Sequence, residues 1–309
     1  MSEPLLFSVG TQVVVQKDTY HLNHRVAHPA GSVGVIVRSP IDRSHAYRVK
    51  FNDGFEATVH HDQLVRLSEY KRDQIGGSVH DVTSDLSARV IYRCVIGSRA
   101  YGLEDDQSDT DRRGFFLPPA DLHWSLYGVP EQLENEETQE AYWEIQKFLV
   151  LALKANPNVL ECLYSPIVEF TTPLADELLG MRDVFLSKLV FQTYSGYVAS
   201  QFKKMQTDLR NQGQVKWKHV MHLIRLLISG INVLREGHLI VKVGEAREQL
   251  LSIKRGEMSF QVADAWRKQL QIEFEGAFQR TRLPERPDYE RVNAFLIHAR
   301  KLALQKELP

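Results

Sequence analysis

The stretch Gly97-Ser98-Arg99-Ala100-Tyr101-Gly102-Leu103-Glu104-Asp105-Asp106-Gln107-Ser108-Asp109-Thr110-Asp111-Arg112-Arg113-Gly114 constrains the fold more than any other part of the chain. It follows the apolar run Val90–Ile96, which reads as a buried strand. A Gly-Ser turn after a strand can open a helix, and the unpaired N–H groups of such a start suit phosphate oxygens. Asp109 and Asp111 then stand two residues apart in a second extended run, Asp109–Leu117, so both carboxylates project from one face. Paired oxygen donors of this kind suit a hard cation that bridges the phosphates of a nucleoside triphosphate. Either half alone carries little, since Gly-Ser is usually a plain turn and a lone Asp-x-Asp a solvated loop. The ordered combination is much rarer.

These residues resemble the DNA polymerase β superfamily of nucleotidyltransferases and, more narrowly, the RNA-repair-associated RlaP family. The narrower likeness rests on Gly97-Ser98-Arg99-Ala100-Tyr101-Gly102, then Ser108-Asp109-Thr110-Asp111-Arg112-Arg113-Gly114. It continues in a helical run from Ile145 into Asn156-Pro157-Asn158-Val159-Leu160-Glu161. It covers residues 88–170 and fades beyond them. The resemblance implies a polymerase-β-type α/β core that moves NMP from an NTP to a hydroxyl acceptor with release of pyrophosphate. It implies Mg²⁺ (or Mn²⁺) on Asp109 and Asp111, and β- and γ-phosphates held by Gly97 and Ser98.

The superfamily also places a third carboxylate on a strand after the Asp-x-Asp strand. No aspartate occurs between Asp121 and Asp176, which leaves Glu131, Glu134, Glu136, Glu137, Glu140 and Glu144. Glu140 is favoured as a catalytic and metal-binding residue: it shares a face with Tyr142 and Glu144 if that segment is extended, and it stands at a suitable distance before the helix. Glu137 and Glu144 are the alternatives, and Glu144 could instead serve the dipole of the helix that follows it. Arg99 and Arg113 flank the motif as candidate nucleotide-binding residues. Arg113 shares a face with Asp111, where it would meet phosphate or pair with a carboxylate. Lys218, His222 and Arg225 fall at i, i+4 and i+7 of a predicted helix, forming either an inward stripe for a triphosphate or a solvated basic face. Gly196-Tyr197 and Lys203-Lys204 are weaker candidates of the same kind. Asn156-Pro157-Asn158 reads most simply as a helix-ending turn, and the resemblance adds a functional possibility for Asn158.

Charge distribution fits an acidic site facing a basic segment. Net charge is −1, yet residues 104–144 carry 12 Asp/Glu against Arg112 and Arg113, while residues 182–256 carry 13 Lys/Arg against five acids. A near-neutral chain gives no general attraction for long nucleic acids. Only Cys94 and Cys162 occur, both in apolar surroundings, so no disulfide framework is expected. The N-terminus lacks the pattern of a signal peptide, and the apolar stretch around His222–Val243 is interrupted by Arg225, Arg235 and Glu236. A cytoplasmic protein with no membrane contact is expected.

The predicted fold class is α+β in three parts. Residues 1–70 alternate β-branched and polar residues, with strands at Gln12–Gln16, Ser32–Arg38, Ala46–Phe51 and Phe55–His60. Asn52-Asp53-Gly54 marks a hairpin, and the segment suggests a small SH3-like β-barrel. It holds six of the 12 histidines; His21, His24 and His28 have metal-like spacing but read better as surface or loop residues. Glu69–Gly77 reads as a linker and Ser78–Ala88 as a short helix. The nucleotidyltransferase core is expected at 78–172 and a helical domain at 173–309, with helices at Leu174–Leu179, Leu186–Gln212, Trp217–Glu236, Gly244–Gly256, Phe260–Phe278 and Tyr289–Gln305.

The leading expectation is a metal-dependent nucleotidyltransferase with a nucleic-acid end as acceptor, in an RNA or DNA repair-type role, the barrel presenting substrate or a partner protein. The alternatives are a catalytically degenerate nucleotide-binding sensor, or transfer to a protein or small molecule.

Overall fold

Strict alternation in the first sixty residues produces short antiparallel strands with one buried face. The computed structural model describes residues 7–21, 25–40, 45–75, 86–105, 108–135, 137–212 and 215–305. It divides into two compact units, Met1–Val82 and Thr83–Pro309.

The first unit contains β1 (Gln12–Val15), β2 (Thr19–Tyr20), β3 (Val26–His28), β4 (Val33–Arg38), β5 (Tyr47–Lys50), β6 (Glu56–Val59), β7 (Leu64–Arg66) and helix α1 (Leu67–Ile75). Five strands form an antiparallel sheet in the order β6-β5-β4-β1-β7, and β2 pairs with β3 in a separate ribbon. Val13, Val15, Ile36, Tyr47, Val49 and Val59 supply its core. The hairpin turn forms as its sequence dictates: Phe51 N–H donates to Phe55 O at 2.8 Å, and Asp53 Oδ1 accepts from Phe55 N at 2.9 Å. Two expectations need correction. Among the described residues β6 and β7 stay at opposite edges, so the sheet is open and the SH3-like barrel does not close. Residues 67–75 are helical rather than linker, because Glu69, Lys71, Arg72 and Gln74 are good helix formers. Most of the helix expected at Ser78–Ala88 lies outside the described residues, as does His24. His28 stacks on Phe51 at 4.0 Å and His21 meets Phe55 edge-on at 4.8 Å, so both pack on aromatic rings.

In the second unit, β8 (Val90–Ile96), helix α2 (Gly97–Tyr101), β9 (Asp111–Phe116), helix α3 (Ala120–Trp124), β10 (Gln132–Asn135) and β11 (Glu140–Glu144) precede α4 (Ile145–Leu153), α5 (Pro157–Leu163) and β12 (Val168–Thr171). Then come α6 (Pro173–Gly180), α7 (Leu189–Gln212), α8 (Trp217–Glu236), α9 (Arg247–Lys254), α10 (Phe260–Arg280) and α11 (Tyr289–Leu304). The sheet order is β10-β11-β9-β8-β12, with β9 and β11 parallel and the other pairs antiparallel. One apolar core runs from the sheet (Tyr92, Phe115) through α4 and α5 (Phe148, Leu160) to the long helices (Ile224, Leu227, Phe274). The helices after residue 173 thus share a core with the sheet. No helix among the described residues is long and apolar enough to cross a membrane.

Candidate active site

The geometry starts at the end of β8. Ile96 is the last strand residue, and Gly97 turns the chain into α2 with φ +74°, a conformation that an L side chain rarely adopts. Among the described residues no side chain caps this first turn, which leaves its N–H groups without a side-chain partner there. Ile96 registers with Asp111 across the β8–β9 pair. The Asp111 carboxylate consequently lies over the turn, where a Cβ on Gly97 would stand 2.5 Å from Oδ2. The strand itself begins at Asp111; Asp109 precedes it and is exposed.

The approach to Asp109 is tied down. Ser108 Oγ donates to Asp105 Oδ1 at 2.8 Å and accepts from Asp105 N at 2.9 Å, while Arg99 Nη2 donates to Ser108 O at 3.0 Å. Arg113 donates through Nη1 to the carbonyls of Arg112 (2.7 Å) and Gln139 (2.8 Å), and its Nη2 stands 3.4 Å from Asp111 Oδ1. Arg113 therefore pairs with the carboxylate from the same face, and Arg99 braces the loop.

Glu140 does not join the aspartates. It registers with Arg112, while Tyr142 registers with Gly114, and Arg93 opposes Gly114 from β8. Residues directly opposite one another share a face, and Arg112 points away from the face of Asp111 and Arg113. Glu140 therefore lies on the far side of the sheet, where with Arg93, Asn135, Tyr142 and Phe170 it lines a cavity of about 410 Å³. Burial pushes the Tyr142 hydroxyl up to about 12. The alternatives fare no better. Glu144 caps α4, accepting from Gln146 N at 2.9 Å, and receives Arg300 Nη2 at 2.6 Å. Glu137 lies in the exposed turn before β11.

The basic stripe divides by burial. Lys218 is exposed and His222 half-buried. Burial, then the cations Arg225, Lys218, His219 and Lys204, pull His222 down to about 4. Arg225 is no cleft residue: its side chain is 6 % exposed, and Nη1 donates to Glu161 Oε1 at 2.6 Å. Burial opposes its charge, but the Glu161 carboxylate and Tyr101 hold the guanidinium above its ordinary value. An inward-facing arginine on an apolar helix is buried here because Glu161 waits for it in the core.

Sequence reasoning missed Tyr101, Glu161, Arg247 and Lys254 as neighbours of the turn. Glu161 did carry a signal, as the one charge in the apolar run Val159-Leu160-Glu161-Cys162-Leu163, where a buried carboxylate demands a partner. Asn156 does more than follow the end of a helix: it begins one, its Oδ1 accepting from Asn158 N and Val159 N at the start of α5. Asn158 thereby lies in the first turn of α5.

Among the described residues no three His, Cys, Asp or Glu side chains gather as a ready-made metal site. Two carboxylates at i and i+2 still fit Mg²⁺, which keeps waters and takes one or two protein carboxylates when substrate phosphates complete its shell. Asp109 and Asp111 are the residues that would hold it.

A family model described as RlaP, RNA repair pathway DNA polymerase beta family, matches residues 59–298. The uncharacterized protein YcgL of Bacillus subtilis (strain 168) is 31% identical over 151 residues, or 48% of this chain. The chain spans 57% of the length of that relative.

Proposed function

The chain belongs to the RlaP family of RNA repair pathway DNA polymerase β proteins, and on that premise we propose that it transfers NMP from a nucleoside triphosphate to a hydroxyl acceptor, a nucleic-acid end being favoured. The observation that carries the reading is the packing of the Asp111 carboxylate against the uncapped Gly97 turn. On this reading the N–H groups of the turn and the aspartates approach one triphosphate from opposite sides.

In this reading the N–H groups of the turn and the Ser98 hydroxyl bind the β- and γ-phosphates, and Asp109 and Asp111 face the α-phosphate. A divalent cation, when bound there, neutralises charge on the phosphates and the leaving pyrophosphate. Arg113 holds Asp111 in place and leaves a fixed positive charge beside it. Arg99 keeps the Ser108–Asp109 approach closed up against the turn. Lys218, exposed at the start of α8, would meet the outer phosphates or an acceptor backbone. The protein's contribution is orientation and preset charge, the terms that dominate phosphoryl-type transfer.

A second reading, a nucleotide-binding protein without transfer, is favoured by one observation: Glu140, the third carboxylate favoured by the sequence, points away from the Asp111 face. Incubation with each α-labelled NTP, Mg²⁺ or Mn²⁺ and mixed RNA, DNA and protein acceptors decides between the two. Label in an acceptor that disappears in Asp111→Ala supports transfer. Nucleotide binding without label in any acceptor supports the second reading.

A further inference from the structure

The back of the Gly97 turn is held as firmly as its front is open. The Tyr101 hydroxyl donates to Glu161 Oε2 at 2.5 Å, and the guanidinium of Arg225 lies 3.8 Å from the centre of the Tyr101 ring. Arg225 completes the set by donating to the other Glu161 oxygen at 2.6 Å. Tyr101, Glu161 and Arg225 are 4 %, 0 % and 5 % exposed. Three consecutive carbonyls at the end of the turn are also taken by donors from residues 243–254. Val243 N–H donates to Tyr101 O at 3.0 Å, Arg247 Nε to Gly102 O at 2.7 Å, and Lys254 Nζ to Leu103 O at 3.0 Å. Lys254 Nζ reaches Asp105 Oδ2 as well, at 2.7 Å.

A five-residue helix has almost no stability of its own. Its orientation is set by what holds its last residues, and here three sequence segments do so: Glu161, Arg225 and residues 243–254. The geometry points to Tyr101, Glu161 and Arg225 as a positioning clamp that fixes the Gly97–Tyr101 turn relative to Asp111, a role that rests on the phosphate-binding function proposed above for that turn. Arg225 serves by neutralising Glu161, so that the carboxylate can accept from Tyr101 inside the core. Glu161 is the hinge pin between the turn and α8. None of the three touches substrate. They act through the turn's backbone N–H groups, whose direction a displaced Tyr101 would change.

Tyr101→Phe isolates the clamp, because it keeps the ring beneath Arg225 and deletes one hydroxyl. Amide hydrogen exchange measured by mass spectrometry should speed up by about tenfold or more at Gly102 and Leu103, whose N–H groups donate to Arg99 O and Ser98 O within the turn, while exchange in α10 stays unchanged. Arg225→Lys, which keeps the charge but loses the planar stacking group, should show the same local pattern in weaker form. In the transfer assay Tyr101→Phe should lower kcat by about tenfold with a smaller change in KM for Mg-ATP. Wild-type exchange at Gly102 and Leu103 in Tyr101→Phe would overturn the clamp, as would equal loss of protection across α8 and α10, the mark of a plain core residue. The exchange measurement does not need activity: local loosening in a protein whose wild type transfers nothing supports the clamp and discards the transfer reading alone.

Discussion

Asp111 Oδ2 occupies the space where a Cβ on residue 97 would sit, 2.5 Å away. The strand carboxylate and the turn glycine are thus a fitted pair, brought together by the Ile96–Asp111 register. Gly97→Ala should impose both a left-handed strain at φ +74° and a displaced Asp111, costing about 1–3 kcal/mol in urea unfolding and most of the transfer activity. Gly102→Ala is the control. Its φ is +72°, but the nearest atom is the flexible Lys242 Cε at 3.5 Å. It should cost about 1–2 kcal/mol in stability and spare transfer. Full activity in Gly97→Ala would sever Asp111 from the proposed site.

The sheet register separates two acids that look alike in sequence. Asp111→Ala should lower transfer by about a thousandfold or more while scarcely moving the melting temperature, since Asp111's ion pair is a half-exposed 3.4 Å contact. Glu140→Gln should leave kcat/KM within about twofold of wild type, because its carboxylate is on the far face. A large loss in Glu140→Gln at unchanged stability would show that the strand end bends round to bring Glu140 to the site.

His222 makes stability fall in mild acid. Its folded-state value of about 4 lies below its ordinary 6.5, so the unfolded chain binds a proton more readily than the folded one. The stabilisation is therefore complete above pH 6.5, declines as pH falls toward 4 and levels off below it; the whole step is on the order of 3 kcal/mol. Urea unfolding of wild type and His222→Gln from pH 7 to pH 4 should converge on the acid side as that step disappears from the variant. Parallel curves would assign the acid lability to other groups.

Gly114 has no room for a side chain, since a Cβ there would fall 1.8 Å from Tyr92 O. Gly114→Ala must push β8 and β9 apart at the centre of the sheet. Expression of the variant should yield little folded protein, with a loss of several kcal/mol, about 3 or more, in any soluble fraction. A melting temperature near wild type would mean that the β8–β9 pairing is looser than the register implies.

The strand and turn around Gly97 were legible in the sequence, and long-range register was not. Gly97, Ser98, Asp109 and Asp111 sit in one continuous stretch whose turn and strand periods can be read directly. The face of Glu140 depends on how β11 slides against β9, and a slip of one residue reverses every side chain. Helical spacing correctly aligned Lys218, His222 and Arg225, yet spacing cannot tell a cleft from a core; that was decided by Glu161, which is 64 residues away. In the first unit four strand positions were readable from alternation, the shorter β2, β3 and β7 were not, and barrel closure depends on edge pairing that no local pattern encodes.

The Tyr101–Glu161–Arg225 set has an evolutionary consequence. Its members are 60 and 64 residues apart along the chain but form a single bonded unit. Removing one leaves a buried donor or charge unmatched in the other two. Such positions are expected to change in concert among homologues: a chain with an apolar residue in place of Arg225 should also lack the Glu161 carboxylate. Independent drift at these three positions would mean that the surrounding core tolerates an orphaned charge.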